Sequence, residues 1–508
     1  MTVKTFATVA VMIALGCAAC GSRPDDYPLA GTSRNEDRRA LDASADHPFI
    51  VLAFSGGGSR AAALAAGATA RLHAVTYETP SGARRRLSQD IAIVSSVSGG
   101  SVYATYLALK GPGADEAKAF QQKVTDFDGI GYITGRLLNP VTWVSLRLEG
   151  RTRIDVLQDM LGEFLETDAT LATLNQPNKP LVLLNASDLV SGQVFTFDPR
   201  TLDDLCMNFD ETPLTLATTA SAAFPIAFTP VLLQNHSYVD PQGCAGRPIP
   251  AGDWRNQLRS AGGRYVNLES YRVARYRDSL RGARYSDSKM GDPRSFRRPE
   301  YVRLVDGGVV DNLGLTAVRR EFFTERSPAF LPQLVTDGKL KQLVVIAVNA
   351  RSDPVSSLDG SDRRIRIPAF GSAVAGSLVD AASAGAASAF RGFMYNLIAD
   401  RTVLLDEGVP GAEFETYPID IDFDQLPDGT PDQRDRQDRV KQIGTSWTLE
   451  PGDVPLVDSV AGELLWRHPC FLKLVGDLRN VQSMPDPNAR PVEGLPCPWP
   501  TVAQTRQP

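Results

Sequence analysis

Residues 48–72 read PFIVLAFSGGGSRAAALAAGATARL, and this stretch decides the fold class. A short apolar run ends at Ser55, three glycines follow, and residues 61–72 are rich in helix-forming alanine and leucine. The same order returns at once, with an apolar run over 90–94, a short turn, and a helical segment over 101–109. Two buried strands that each lead into a helix through a tight turn predict an α/β fold with a doubly wound sheet.

Later apolar runs extend this pattern along the chain. They predict further strands at 181–184, 301–305 and 343–348. A chain of 508 residues is longer than one ordinary domain requires. Because strand candidates continue so far, we predict one large interrupted domain over 47–350. Residues 351–508 are expected to be a C-terminal extension packed on this core.

The composition excludes several classes of protein. With 43% apolar and 22% charged residues, the chain is neither wholly disordered nor collagen-like. A mean hydropathy of −0.15 with one early apolar stretch excludes a polytopic membrane protein. The net charge of −6 gives no indication of a nucleic-acid partner, and none is expected.

Two segments depart from the average composition. Residues 247–303 are rich in arginine with interleaved aromatic residues, and residues 404–438 are acidic and contain proline. Both are interpreted as surface insertions or excursions. The basic segment could face phospholipid head groups, or its arginines could pair with the acidic segment.

The N-terminus has the pattern of an export signal. Residues 6–16 form an apolar stretch of about eleven residues, too short for a membrane span of about 20. Small residues precede Cys17 and Cys20, which resembles a bacterial lipoprotein signal, in which the processed cysteine becomes an acylated N-terminus. Cys20 is the preferred lipidation site because two alanines precede it and a polar segment follows; Cys17 and simple secretion are the alternatives. We therefore predict a signal peptide over 1–20, a polar tether over 21–46, and a lipid-anchored protein of the cell envelope, on the periplasmic or outer-membrane face.

Export would permit disulfide bonds in the remaining chain. Four cysteines follow the predicted signal, and neighbours in sequence are the natural pairs: Cys206 with Cys244, and Cys470 with Cys497. This is one of three connectivities that four cysteines allow. No Cys-x-x-Cys spacing occurs among them, so no metal site is expected.

Ser98 is the candidate nucleophile. It lies in the sequence Ser96-Val-Ser-Gly-Gly100, between a predicted strand and a predicted helix. A serine on such a sharp turn is exposed above the sheet edge, and small neighbours are needed where the backbone bends. The helix N-terminus then places amides beside an oxygen that becomes negative.

The glycine run supplies candidate hydrogen-bond donors. Consecutive glycines at 56, 57 and 58 let backbone N–H groups converge on a phosphate or an oxyanion, and Arg60 follows in the first helical turn. Three adjacent glycines fit neither the spaced dinucleotide-binding pattern nor a phosphate-binding loop.

Asp306 is the candidate base. It ends the predicted strand 301–305 and is followed by Gly307 and Gly308. The carboxyl ends of parallel strands share one sheet edge, so we expect Asp306 to meet Ser98 there. Nucleophile, amide donors and base are the minimum set for acyl transfer. A serine activated directly by aspartate needs no histidine; His468, beside a cysteine, is interpreted as structural.

Together these motifs resemble a bacterial patatin-like phospholipase over roughly residues 48–350. The segments 185–197 and 217–230 are similar to further motifs of that family. Ser96 replaces the first glycine of the family's serine turn, and Ala61 replaces a glycine often found after the arginine.

The resemblance implies a three-layer α/β/α sandwich with a mostly parallel central sheet and surface insertions. It implies a cofactor-free, metal-free lipid acyl hydrolase that cleaves fatty acyl esters of phospholipids through an acyl-serine. Catalysis would rest on a Ser98–Asp306 dyad. By the same resemblance, the amides of Gly56, Gly57 and Gly58 form the oxyanion hole, with Arg60, Gly100, Gly307 and Gly308 supporting them. The alternatives are a carboxylesterase or thioesterase acting on smaller esters, and a non-catalytic binding module of the envelope.

Overall fold

The computed structural model describes residues 35–236 except 226, Tyr276, Leu280, residues 299–352 except 325 and 326, and Cys497. It also describes residues 385–482 except 387, 400, 403, 404, 407 and 409. The predicted signal peptide, Cys17, Cys20, Cys244 and nearly all of the basic segment lie outside the described residues.

The described residues form an eight-stranded central sheet and a separate three-stranded one. The strands are β1 (Phe49–Phe54), β2 (Thr76–Glu78), β3 (Arg84–Arg86), β4 (Ile91–Val97), β5 (Leu181–Asp188), β6 (Gln193–Thr196), β7 (Val231–Gln234), β8 (Tyr301–Asp306), β9 (Gln342–Asn349), β10 (Glu415–Asp422) and β11 (Arg479–Gln482). The central order is β10-β9-β1-β4-β5-β8-β7, with β6 also beside β5. From β10 to β5 all neighbours are parallel, whereas the pairings of β6, β8 and β7 are antiparallel.

Helices cover both faces of this sheet. The helices with assigned bounds are α1 (Gly58–Ala74), α2 (Gly99–Lys110), α3 (Ala114–Asp126), α4 (Gly129–Leu138), α5 (Pro140–Glu149), α6 (Arg153–Leu165), α7 (Pro199–Asp204), α8 (Leu214–Ser221), α9 (Leu315–Phe322), α10 (Leu331–Thr336), α11 (Pro431–Gln442), α12 (Asp453–Arg467) and α13 (Pro469–Asp477), and several of them pack on the sheet. Along β1, Ile50, Leu52 and Phe54 pack with α1 and α12, while Phe49, Val51 and Ala53 pack with α9 and α10. Because side chains alternate along a strand, the two sets form separate cores on opposite faces. The predicted α/β fold, with a mostly parallel sheet between helices, is confirmed. Within the described ranges, no helix combines the length and apolar character that a bilayer crossing requires.

The interpretation of residues 404–438 as a surface excursion is wrong for β10. This strand pairs with β9 inside the central sheet, so the C-terminal region contributes to the sheet itself. Alternate side chains of β10 join the core beside α12 and α13: Tyr417, Ile419 and Ile421. The two buried acids have specific partners, Asp420 with the His468 imidazole at 3.1 Å and Asp422 with the Asn349 amide at 2.7 Å. Acidic composition was therefore a poor guide to exposure here.

Residues 35–46 are not a free tether. The Asn35 side-chain amide donates to the Met207 carbonyl at 2.8 Å, and the Asn178 amide donates to the Ala40 carbonyl at 2.9 Å. Arg39 is buried and pairs with Asp37. These contacts hold the polar segment against the body of the protein.

The C-terminal helices are tied by a disulfide and a buried histidine. Cys470 is bonded to Cys497, and Cys206 is also disulfide-bonded; its predicted partner Cys244 lies outside the described residues. His468 precedes α13, where its Nδ1 accepts the Cys470 amide at 3.2 Å and its Nε2 faces Asp420. Both ring nitrogens are therefore engaged in holding α13 against β10.

Candidate active site

Ser98 occupies a strained turn between β4 and α2. Its backbone angles are φ 52° and ψ −122°, in a region that residues with a side chain rarely adopt. The turn packs tightly: a Cβ at Gly99 would lie 2.0 Å from the Gly58 carbonyl oxygen, and one at Gly100 would lie 2.7 Å from the Ser55 carbonyl oxygen. The two glycines after Ser98 are thus required by close backbone approach, and strain at such a turn is typical of a functional site.

A buried network of hydroxyl groups holds this turn. The Ser98 amide donates to the Ser221 hydroxyl at 2.9 Å, and that hydroxyl donates to the Asn185 carbonyl at 2.6 Å. Ser101 links Ser221 (2.8 Å) to the Ser96 hydroxyl (3.0 Å). The serine that replaces the first glycine of the turn is therefore accommodated by hydrogen bonds. Sequence reasoning gave Ser221 no role, because α8 contains several hydroxyl residues and no local pattern distinguishes this one.

Asp306 meets Ser98 in the folded chain. The Ser98 hydroxyl lies beside the Asp306 carboxylate and interacts with it, and the Oδ1 of that carboxylate accepts the Gly308 amide at 2.8 Å. Burial raises the pKa of Asp306 to about 6, and the interactions with the Ser98 hydroxyl and the Gly308 amide only partly oppose this rise. The carboxylate is therefore ionised near neutral pH, yet basic enough to accept a proton.

The route by which the two residues meet differs from the expected one. β8 runs antiparallel to β5, so Asp306 does not lie at a shared carboxyl edge of parallel strands. Instead β5 extends beyond β4: its Asn185 pairs with Val97 and its Ala186 pairs with Asp306. Asp306 thus ends β8 level with the end of β4. Gly307 is required next to it, because a Cβ there would lie 2.4 Å from the Asn185 carbonyl oxygen.

The glycine loop lies directly against Ser98. A Cβ at Gly56 would lie 3.2 Å from the Ser98 Cβ and 2.6 Å from the Asn312 Oδ1. The Gly56 amide donates to that Oδ1 at 3.1 Å, so it is already engaged, contrary to the expectation of three open donors. Gly57 and Gly58 have positive φ values of 135° and 61°, and their amides have no hydrogen-bond partner among the described residues.

Arg60 ties the glycine loop to two other parts of the chain. Its guanidinium is buried and donates to the Ala350 carbonyl through Nε (3.1 Å) and Nη2 (2.8 Å), and to the Ile443 carbonyl through Nη1. Ala350 follows β9, so Arg60 fixes the start of α1 against the neighbouring strand. This geometry is that of a supporting residue.

A second acid near the site has a different role. The Asp311 carboxylate accepts the amides of Gly314 (2.9 Å) and Thr316 (2.7 Å) and so caps the start of α9. In the part of the chain that the structure describes, no group of three or more His, Cys, Asp or Glu residues is arranged to hold a metal ion.

Comparison with known proteins gives one family. Residues 52–241 match the model of the patatin-like phospholipases. The patatin-like region contains the glycine loop, Ser98 and Ser221, but it ends before Asp306, so the pairing of Asp306 with Ser98 rests on the structure. No curated protein matches the chain. Among solved structures, human GIVD cytosolic phospholipase A2 is similar, with 13% identity and a TM-score of 0.33. The match covers 59% of this chain and 45% of that one, so the chain spans less than half of that protein's length.

Proposed function

We propose that the protein is a serine lipid acyl hydrolase that cleaves fatty acyl esters of phospholipids with a Ser98–Asp306 dyad. The observation that carries this proposal is that a serine hydroxyl on a strained strand-to-helix turn lies beside a buried carboxylate. The match of residues 52–241 to the patatin-like phospholipases supports a lipid ester as the substrate.

The reaction would proceed in two steps. In the first, Ser98 Oγ attacks the ester carbonyl while Asp306 accepts its proton, and the same carboxyl group then protonates the departing alcohol. In the second, Asp306 takes a proton from water, which attacks the acyl-serine; the proton then passes from Asp306 to Ser98 Oγ as the fatty acid leaves. The oxyanion of each tetrahedral intermediate would be bound by the amides of Gly57 and Gly58. Loss of one such donor typically costs about 10²–10³ in rate.

The test is hydrolysis by matched variants. Ser98→Ala and Asp306→Asn should each lower fatty acid release from phospholipid vesicles by at least about 10³-fold, since residues of one catalytic unit fail together. Ser459→Ala, at an exposed serine of α12, is the control and should act as the parent does. A parent rate retained by Ser98→Ala would overturn the dyad.

The same assay separates the alternatives. Hydrolysis of short-chain esters or acyl thioesters without attack on phospholipid would indicate a carboxylesterase or thioesterase. A folded parent that cleaves none of these substrates would be a binding module of the envelope.

We further propose that the protein is exported and anchored to a bacterial membrane through Cys20. Two observations support this: the lipoprotein-like N-terminal sequence, and the Cys470–Cys497 disulfide, since disulfides are rare in reducing compartments. Radiolabelled palmitate should be incorporated by the parent and by Cys17→Ser but not by Cys20→Ser. Loss of the label only in Cys17→Ser would place the lipid anchor at Cys17. A parent that incorporates no label would contradict the proposed lipidation.

A further inference from the structure

One buried side chain connects two loops of the candidate site. Asn312 is 3% exposed and belongs to the segment that follows Asp306. Its Oδ1 accepts the Gly56 amide at 3.1 Å, and its backbone carbonyl accepts the same amide at 3.3 Å. Asn312 thus joins the segment that carries the proposed base to the loop that carries the proposed amide donors.

The same side-chain oxygen lies against the turn after Asp306. A Cβ at Gly56 would lie 2.6 Å from Asn312 Oδ1, and a Cβ at Gly308 would lie 2.7 Å from it. Both distances are shorter than real Cβ atoms show, so the Asn312 oxygen fills the space that a side chain at either glycine would need. Asp306 Oδ1 is 3.1 Å from the same Gly308 position. Asn312 therefore accounts for the requirement for glycine at one position in each loop.

The strands that carry these two loops are not neighbours. The glycine loop follows β1 and Asp306 ends β8, and β4 and β5 lie between those strands in the sheet. The separation of the two loops is therefore not set by direct strand pairing. The chain beside Asn312 is itself fixed, because Asp311 caps α9 and the Gly314 carbonyl accepts the Ser95 hydroxyl of β4 at 2.7 Å. Asn312 is thus held where it can set that separation.

A side-chain amide suits this position better than a carboxylate. The amide oxygen accepts an N–H hydrogen bond without carrying a charge. A negative charge in the same place would disfavour ionisation of Asp306 and would oppose the developing oxyanion. The chemistry of asparagine is therefore matched to a contact between these two parts of the site.

We propose that Asn312 is a positioning residue that holds the glycine loop where the amides of Gly57 and Gly58 can bind the oxyanion. This inference rests on the proposed function, because it concerns the same reaction. Asn312 acts through the Gly56 amide, and it neither takes a proton nor forms a bond during the reaction.

Kinetics on a soluble ester give the first test. Asn312→Ala removes the shorter of the two hydrogen bonds to the Gly56 amide. It should lower kcat at least about tenfold with little change in KM, because displaced oxyanion donors weaken binding of the transition state and not of the substrate. Asn312→Ser, whose hydroxyl lies nearer to the backbone, repeats the measurement should the alanine variant fail to fold.

Inhibitor binding separates positioning from general damage to the site. A trifluoromethyl ketone analogue of the ester forms a tetrahedral adduct with a serine hydroxyl, whereas the matching ether forms none. Asn312→Ala should weaken binding of the ketone by about the same factor as it lowers kcat/KM. Its affinity for the ether should stay within about twofold of the parent value, since the ether develops no oxyanion.

The matched control is another buried asparagine. Asn175 is 1% exposed, and its side-chain amide donates to the Glu36 carbonyl at 2.8 Å and to Asp210 at 3.0 Å. It precedes β5, whereas the end of β4 next to Ser98 pairs near the other end of that strand. Asn175→Ala should destabilise the protein, while the folded protein keeps the kcat and the ketone affinity of the parent.

A further test requires no activity. In the parent, Gly308→Ala places a methyl group against Asn312 Oδ1 and should lower the urea midpoint of unfolding by at least about 0.3 M. In the Asn312→Ala background that contact is gone, so the same substitution should lower the midpoint by less than half as much.

Three results would overturn the proposal. The first is a parent-like kcat in Asn312→Ala, or equal loss of ketone and ether binding. The second is a kcat that rises, because Asn312 would then compete with the oxyanion for the Gly56 amide. The third is an equal effect of Gly308→Ala on the urea midpoint in both backgrounds. A parent that cleaves no ester would contradict the proposed function, while the urea midpoints would still decide whether Asn312 joins the two loops.

Discussion

Replacing Asp306 with asparagine should stabilise the protein while removing its activity. The carboxyl group is only 3% exposed, and burial raises its pKa from 3.8 to about 6. A difference of about 2 pKa units, at 1.36 kcal/mol each, corresponds to about 3 kcal/mol that the folded state loses when Asp306 ionises.

The sign of this effect follows from the raised pKa. Below pH about 4 Asp306 is protonated in both the folded and the unfolded state, so its ionisation costs the folded state nothing. The free energy of unfolding then falls as the pH rises through about 6, where Asp306 ionises in the folded state. Asparagine is neutral throughout and avoids this loss. Its advantage over the parent should therefore be near zero at pH 4 and approach about 3 kcal/mol at pH 8.

Urea unfolding of both proteins at several pH values measures this difference. Asp438→Asn, at an exposed aspartate of α11, is the control and should change the free energy of unfolding by no more than about 0.5 kcal/mol. An Asp306→Asn variant that gains nothing at pH 8, or gains the same amount at every pH, would refute the reasoning. The buried carboxylate would then carry no electrostatic cost and would not be a base tuned by desolvation.

Three further predictions concern the site and its support. For a soluble ester, kcat/KM should rise about tenfold per pH unit up to about 6 and then level off, because only ionised Asp306 accepts a proton; a flat profile between pH 4 and 7 would contradict this. Ser221→Ala leaves the Ser98 amide without its acceptor and should cost about 1–3 kcal/mol of stability and lower kcat more than it raises KM; unchanged kcat would remove the positioning role. Cys470→Ser/Cys497→Ser opens a link across 27 residues and should lower the free energy of unfolding in urea by about 2–4 kcal/mol; an unchanged urea midpoint would count against it.

The fold was predictable where strands are buried on both faces. β1, residues 91–94 of β4 and residues 343–348 of β9 are continuous apolar runs, because a parallel sheet covered by helices leaves no polar face. β10 does not follow this rule. Its two buried aspartates form hydrogen bonds with residues 48 and 73 positions away in the sequence, and no local sequence pattern reveals partners at that distance.

The short motifs of the candidate site could be predicted from the sequence, but the residues that hydrogen-bond to those motifs could not. Ser98 and the glycine loop each follow a strand directly, so local sequence locates them. Asn312 and Ser221 hydrogen-bond to Gly56 and Ser98 across 256 and 123 residues, and only the folded chain brings them there. Asp306 was predicted on the assumption that its strand is parallel to the neighbouring strand. In the structure β8, which ends at Asp306, is antiparallel to β5.

The most direct test of the account is the reaction of the folded protein with a fluorophosphonate, followed by mass spectrometry of its peptides. We predict one adduct, on Ser98, that forms slowly in Asp306→Asn and is absent from Ser98→Ala and from the unfolded parent. A folded parent that forms no adduct at Ser98, or one that reacts equally fast without the carboxylate, would contradict the central claim that these two side chains form a working pair.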